Sequence, residues 1–100
     1  MIRHIILWKL KDEYTFEEKT RIKQGMKEGL EGLEGRIPGL LSITVHINGL
    51  ESSNADAMLE SAFESVDALK NYAVNPLHVE VADTRVRPYT AERKCLDFEE

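Results

Sequence analysis

The sequence predicts an α+β fold in which a four-stranded antiparallel sheet carries helices on one face. Three observations lead there. Strand-like and helix-like periodicities follow in the order strand, helix, strand, strand, helix, strand. The second helical segment is broken by Asn75-Pro76. The first strand is apolar on both faces and needs cover from two sides. One hundred residues supply one domain, residues 1–100, without repeats, linkers or low-complexity stretches. The order βαββαβ, with its second helix broken, is the split βαβ arrangement of ferredoxin-like folds.

Each element has its own local signal. Ile2 to Leu10 is β-branched and aromatic and ends at the polar turn Lys11-Asp12-Glu13. Thr15 and Glu18 have capping-box spacing, with Thr15 as N-cap. Behind them Ile22, Met26, Leu30, Leu33 and Ile37 recur at helical spacing up to Pro38-Gly39. Gly25, Gly29 and Gly32 lie inside this periodic run, which reads as close packing against the sheet rather than a phosphate loop. Leu41, Ile43, Val45 and Ile47 alternate with polar residues as a strand. A polar loop from Asn48 to Asp56 leads to a second strand over Ala57 to Glu64. Ser65 caps a short helix through Tyr72, with Asp67 in its first turn. Asn75 then caps a further helix with Pro76 at its first position, running to about Arg85. Arg93 to Phe98 closes the sheet as a short final strand.

A chain this short buries roughly 60–68% of its unfolded surface, so its own core is modest. The helices cover one face of the sheet. Whichever register the first strand takes, either Ile6 and Trp8 or Ile5 and Leu7 face outward on the other. Stacking two copies face to face about a two-fold axis removes that patch and gives a dimeric α/β barrel. A homodimer is therefore expected.

Composition excludes several classes. A net charge of −5 opposes non-specific nucleic-acid binding, which needs cationic side chains to displace counterions. The longest apolar stretch, Ile2 to Leu10, is too short to span a membrane and resembles no signal peptide. One cysteine, Cys95, excludes an intrachain disulfide and a Cys-based zinc site and suits the cytoplasm. Cys95 itself reads as a small buried hydrophobe. Three histidines without short-range ligand spacing make a weak metal signal, so no metal site is assigned and no cofactor is implied.

Several segments resemble the Dabb family of stress-responsive dimeric α/β-barrel proteins. They are Ile2 to Lys11, Ile37-Pro38-Gly39, Phe63 to Tyr72, and Asn75-Pro76-Leu77-His78. The likeness spans essentially the whole chain. It implies a ferredoxin-like protomer and a homodimer whose two sheets form a barrel. It says little about activity, because most members have no assigned reaction. A plant polyketide cyclase of the family uses a Tyr and a His for an intramolecular aldol condensation. Tyr72 and His78 match those positions, and His4 matches a first-strand histidine beside its cavity. Asn75 departs from the family pattern, which usually has His before the proline. The N-cap role is kept and a titratable group is lost.

Tyr72 and His78 are six residues apart, about 120° around an unbroken helix, and can converge only because Asn75-Pro76 redirects the chain. A phenol can donate to a developing enolate and an imidazole can exchange a proton near neutrality. His4, Tyr72 and His78 are thus candidate catalytic residues for cofactor-free aldol- or cyclase-like chemistry on a small hydrophobic or carbonyl-containing ligand. The structural alternatives are that His78 fixes the helix junction and that His4 is a satisfied core histidine. His46 is expected on a polar face. Arg85, Arg87, Arg93 and Lys94 read as a loose, solvated basic cluster. The competing functions are a non-enzymatic, stress-associated oligomeric interaction protein and a cofactor-independent monooxygenase-like enzyme.

Overall fold

The computed structural model describes residues 1–100. Its elements are β1 (Ile2–Leu10), α1 (Phe16–Glu31), β2 (Leu40–His46), β3 (Ala57–Phe63), α2 (Val66–Val74), α3 (Pro76–Val81) and β4 (Thr90–Glu99). A π-helical turn (Ala82–Val86) and a 3-10 turn (Arg87–Tyr89) join α3 to β4. The strands lie in the order β2-β3-β1-β4, antiparallel throughout, which is the ferredoxin-like sheet. The helix break falls at Asn75, whose side chain accepts from the Leu77 N–H at 2.9 Å and starts α3.

β1 is central, and its alternation decides which residues face the helices. Ile2, His4, Ile6, Trp8 and Leu10 are buried under them. Ile5 and Leu7 point to the other side, so the outward pair is Ile5 and Leu7 rather than Ile6 and Trp8. The expected capping box is formed: Thr15 Oγ1 accepts from the Glu18 N–H and Glu18 accepts from the Thr15 N–H.

Several boundaries differ from the sequence reading. α1 stops at Glu31 with Gly32 as its C-cap, and Leu33 and Ile37 reach the core from the turn that follows. Glycine's poor helix propensity accounts for the early stop at Gly32. The close approach expected of the α1 glycines is met at Gly29, and against α3 rather than the sheet. A Cβ there would come within 2.8 Å of Val81 Cγ1. β2 begins at Leu40, and a bulge between Leu40 and Ser42 leaves Leu41 exposed. The run expected to be helical as far as Arg85 leaves α-helical geometry after Val81 and widens into the π-helical turn. β4 extends beyond the predicted strand at both ends.

Gly39 turns the chain into β2 with φ of +81°, a conformation in which a side chain is strained, and a Cβ there would meet Ala68 Cβ at 2.5 Å. β2 is an edge strand, and α1 with the turn that follows it covers its free edge. Glu31 accepts from the Val45 N–H, Lys27 donates to the Val45 carbonyl, and Glu34 accepts from the Ile43 N–H. The other edge, β4, has no helix over it. α2 packs over β1, β2 and β3, which leaves a gap beside β4 on the helix side. On the opposite side of the sheet, Leu7, Leu96 and Phe98 are exposed by 40%, 65% and 42%. Leu96 lies beside Ile5 and Phe98 beside Arg3, so the residues form one patch.

Candidate functional site

The gap between α2 and β4 is a cleft of about 620 Å³. Val66, Leu69 and Ala73 of α2 form one wall, Ile2 and His4 of β1 the floor, and Arg93, Cys95 and Asp97 of β4 the other wall. Lys70 and Glu99 also line it. The lining is apolar toward the helix and polar along β4, as suits a small ligand with one functional end.

His4 sits on the floor because β1 turns that face toward the helices. Its Nδ1 is hydrogen-bonded to Asp97 Oδ1, directly across the β1–β4 ladder. Asp97 thereby fixes the orientation of the ring. Cys95, two residues earlier on the same face of β4, places Sγ 3.8 Å from His4 Nδ1 and 3.5 Å from Asp97 Oδ1. Cys95 is exposed, contrary to the buried position expected from sequence, because no helix covers the β4 edge. Partial burial and the Asp97 charge raise its thiol pKa, which favours the protonated form.

Tyr72 stands behind the floor. It is 1% exposed, packs on Phe63 at a ring separation of 4.9 Å, and meets His4 edge-on at 6.3 Å. Its hydroxyl is buried and has no hydrogen-bond partner within the protein. Burial pushes the phenol well above its ordinary pKa, with the Arg93 charge pulling the other way, so it remains a proton donor.

His78 lies against Tyr72 with ring centroids 4.1 Å apart, and its Nδ1 is 3.3 Å from the Ala73 carbonyl. Donation from Nδ1 to that carbonyl leaves Nε2 as the acceptor nitrogen. Burial pushes its pKa below 6.5; the Ala73 hydrogen bond opposes this, and the charges of Arg87, His4 and Arg93 add to it. A histidine held neutral in the fold contributes stability that is complete above the unfolded pKa. That stability is lost as pH falls from 6.5 toward the folded value. Chemical denaturation between about pH 7 and pH 5 is therefore expected to show declining stability, with a shallower decline in His78→Gln.

The structure thus brings His4, Tyr72 and His78 together. Of the three, only His4 lines the cleft; Tyr72 and His78 form a second layer. Sequence reasoning missed Asp97 and the position of Cys95. Their i, i+2 spacing on a strand was the available signal. The expected basic cluster disperses: Arg85 donates to the Gly25 carbonyl, Arg87 pairs with Asp83, Arg93 lines the cleft, and Lys94 lies on the other sheet face, opposite Leu7. His46 is exposed as expected, paired with Glu60. No helix is long and apolar enough to cross a membrane.

A ferredoxin-like sheet with a side cleft and an uncovered apolar face defines a class of α/β-barrel half. Residues 2–100 match the Stress responsive A/B Barrel Domain (Dabb) family, and the chain belongs to it. No curated protein matches it. Among solved structures it is similar to a dimeric protein of unknown function with a ferredoxin-like fold from Bacteroides fragilis NCTC 9343. The two are 31% identical over 99% of this chain and 95% of that one, with a TM-score of 0.92. Hydroxynitrile lyase from Passiflora edulis is 18% identical over 97% and 90% of the chains, with a TM-score of 0.71. An antibiotic biosynthesis monooxygenase is 10% identical over 100% and 98%, with a TM-score of 0.76. The last two likenesses are of fold alone.

Proposed function

We propose that the chain works as a cytoplasmic homodimer in which each protomer carries a small-molecule site for cofactor-free acid–base chemistry. The substrate class is a largely apolar compound bearing a carbonyl group, and the reaction is of the aldol or cyclase type. The observation that carries this reading is the Tyr72 hydroxyl, a buried donor without a protein partner, on a ring 6.3 Å from that of His4 on the cleft floor. Such a group costs stability unless a ligand uses it. In this role a ligand that passes the His4 ring from the cleft into the second layer accepts the phenol hydrogen bond at its carbonyl oxygen, which stabilises the enolate that forms when an adjacent C–H proton leaves. His4, oriented by Asp97, and His78, neutral and stacked on Tyr72, are the two imidazoles available to take that proton.

The homodimer follows from the exposed patch of Leu7, Leu96 and Phe98 and accords with the dimeric state of the Bacteroides fragilis relative. A purely structural role would account for that patch but gives the Tyr72 hydroxyl nothing to do.

Thermal denaturation in the presence of phenylacetone, an apolar ketone, tests the site. A concentration-dependent rise in Tm is expected for the native chain, and Tyr72→Phe and His78→Ala should each reduce it. An equal rise in both variants would place ligand binding elsewhere.

A further inference from the structure

We infer that His4, Cys95 and Asp97 form a binding site for a borderline-soft divalent cation, zinc foremost, whose fourth coordination position opens into the cleft. The β1–β4 register builds it. His4 lies opposite Asp97, and Cys95 projects from the same sheet face two residues earlier. One donor atom from each, an imidazole nitrogen, a sulfur and a carboxylate oxygen, all lie within 4.8 Å of one another. Tetrahedral zinc, with bonds of about 2.3 Å to sulfur and about 2.0–2.1 Å to nitrogen or oxygen, holds its ligand atoms roughly 3.3–3.6 Å apart. The thiol stands 3.5 Å from Asp97 Oδ1 and 3.8 Å from His4 Nδ1, close to that spacing. His4 Nδ1 and Asp97 Oδ1 are hydrogen-bonded to each other, and they separate when a cation takes the place of the bridging hydrogen.

The same geometry argues against a nucleophilic relay. A relay needs the thiol on one ring nitrogen and the carboxylate on the other, whereas here both approach Nδ1. Converging donors suit a cation. A mixed sulfur, nitrogen and oxygen set favours zinc over magnesium or calcium, and three protein ligands with one open position make an accessible site. This site departs from the expectation that a single cysteine rules out Cys-based zinc binding, because His4, Cys95 and Asp97 meet only through strand pairing. In its consequence the inference rests on the function proposed above: a cation on Nδ1 withdraws His4 from proton transfer, so zinc acts as an inhibitor of that site.

Titration of the reduced chain with Co²⁺ tests the site directly. The expected result is a near-ultraviolet thiolate-to-cobalt charge-transfer band with intense tetrahedral visible bands, all abolished by Zn²⁺. Losing an outer-shell partner alone weakens metal sites by about 10–100-fold, so Cys95→Ser should weaken zinc binding at least about tenfold and remove the charge-transfer band. His46→Ala, which removes the exposed His46–Glu60 pair, should leave both unchanged. Absence of the band, or its persistence in Cys95→Ser, overturns the inference. Phenylacetone thermal shifts with and without Zn²⁺ separate the two readings. A charge-transfer band without any ketone shift supports the cation site and refutes the ketone reading. A ketone shift without the band refutes the cation site alone.

Discussion

Tyr72→Phe is expected to make the protein more stable, by about 1–3 kcal/mol, while removing the response of the cleft to a ketone. The expectation runs against the usual sign for a buried residue, since most core substitutions destabilise. Here the phenyl ring keeps its packing against Phe63 and its contact with His78, so no cavity opens. What is lost is a hydroxyl stripped of water in the fold and given no partner there. The unfolded chain solvates that hydroxyl, so deleting it lifts a penalty borne only by the native state. Urea denaturation of both proteins measures the difference. A less stable variant would mean that the hydroxyl is bonded in the native protein and is not held in reserve for a ligand. Opposite signs for stability and ligand response are the mark of a group retained for function.

Leu96→Asp, on the uncovered face, is expected to dissociate the proposed homodimer. Burying a leucine contributes about 1.5–3 kcal/mol, and two symmetry-related copies lose it together. An aspartate in its place also brings an unpaired charge into the interface. The dimer Kd should therefore rise by at least about 1,000-fold, with every 1.4 kcal/mol giving a factor of ten. Leu96 is 65% exposed in the protomer, so the substitution leaves the protomer's own core intact. Sedimentation velocity at micromolar concentration should find the native chain dimeric and the variant monomeric with an unchanged circular dichroism spectrum. A variant that remains dimeric would move the interface off this face.

What could be read from the sequence was local. The Thr15–Glu18 box, the Ser65 cap and the Asn75-Pro76 break are each decided within four residues, and each is where the spacing places it. The order of strands and helices followed from them. The helix break also explains why Tyr72 and His78 meet at 4.1 Å although an unbroken helix would hold them apart. The rest depended on distant pairing. Both faces of β1 are apolar in sequence, so only the position of the helices decides that Trp8 is buried and Leu7 exposed. Asp97 and Cys95 join His4 because β4 pairs with β1 across more than ninety residues, in a register that no local pattern encodes. The exposure of Cys95 has the same origin: α2 covers three strands and stops short of the fourth.

In the proposed function the cleft moves a proton at a carbonyl compound, with Tyr72 behind its floor as the hydrogen-bond donor. Deuterium exchange into the methylene group of phenylacetone in D₂O, followed by proton NMR at neutral pH, tests it without a known natural substrate. The native protein should accelerate exchange above buffer in proportion to its concentration, and Tyr72→Phe, folded and more stable, should not. Exchange at the buffer rate with the native protein, or acceleration that survives in Tyr72→Phe, would contradict the proposed function.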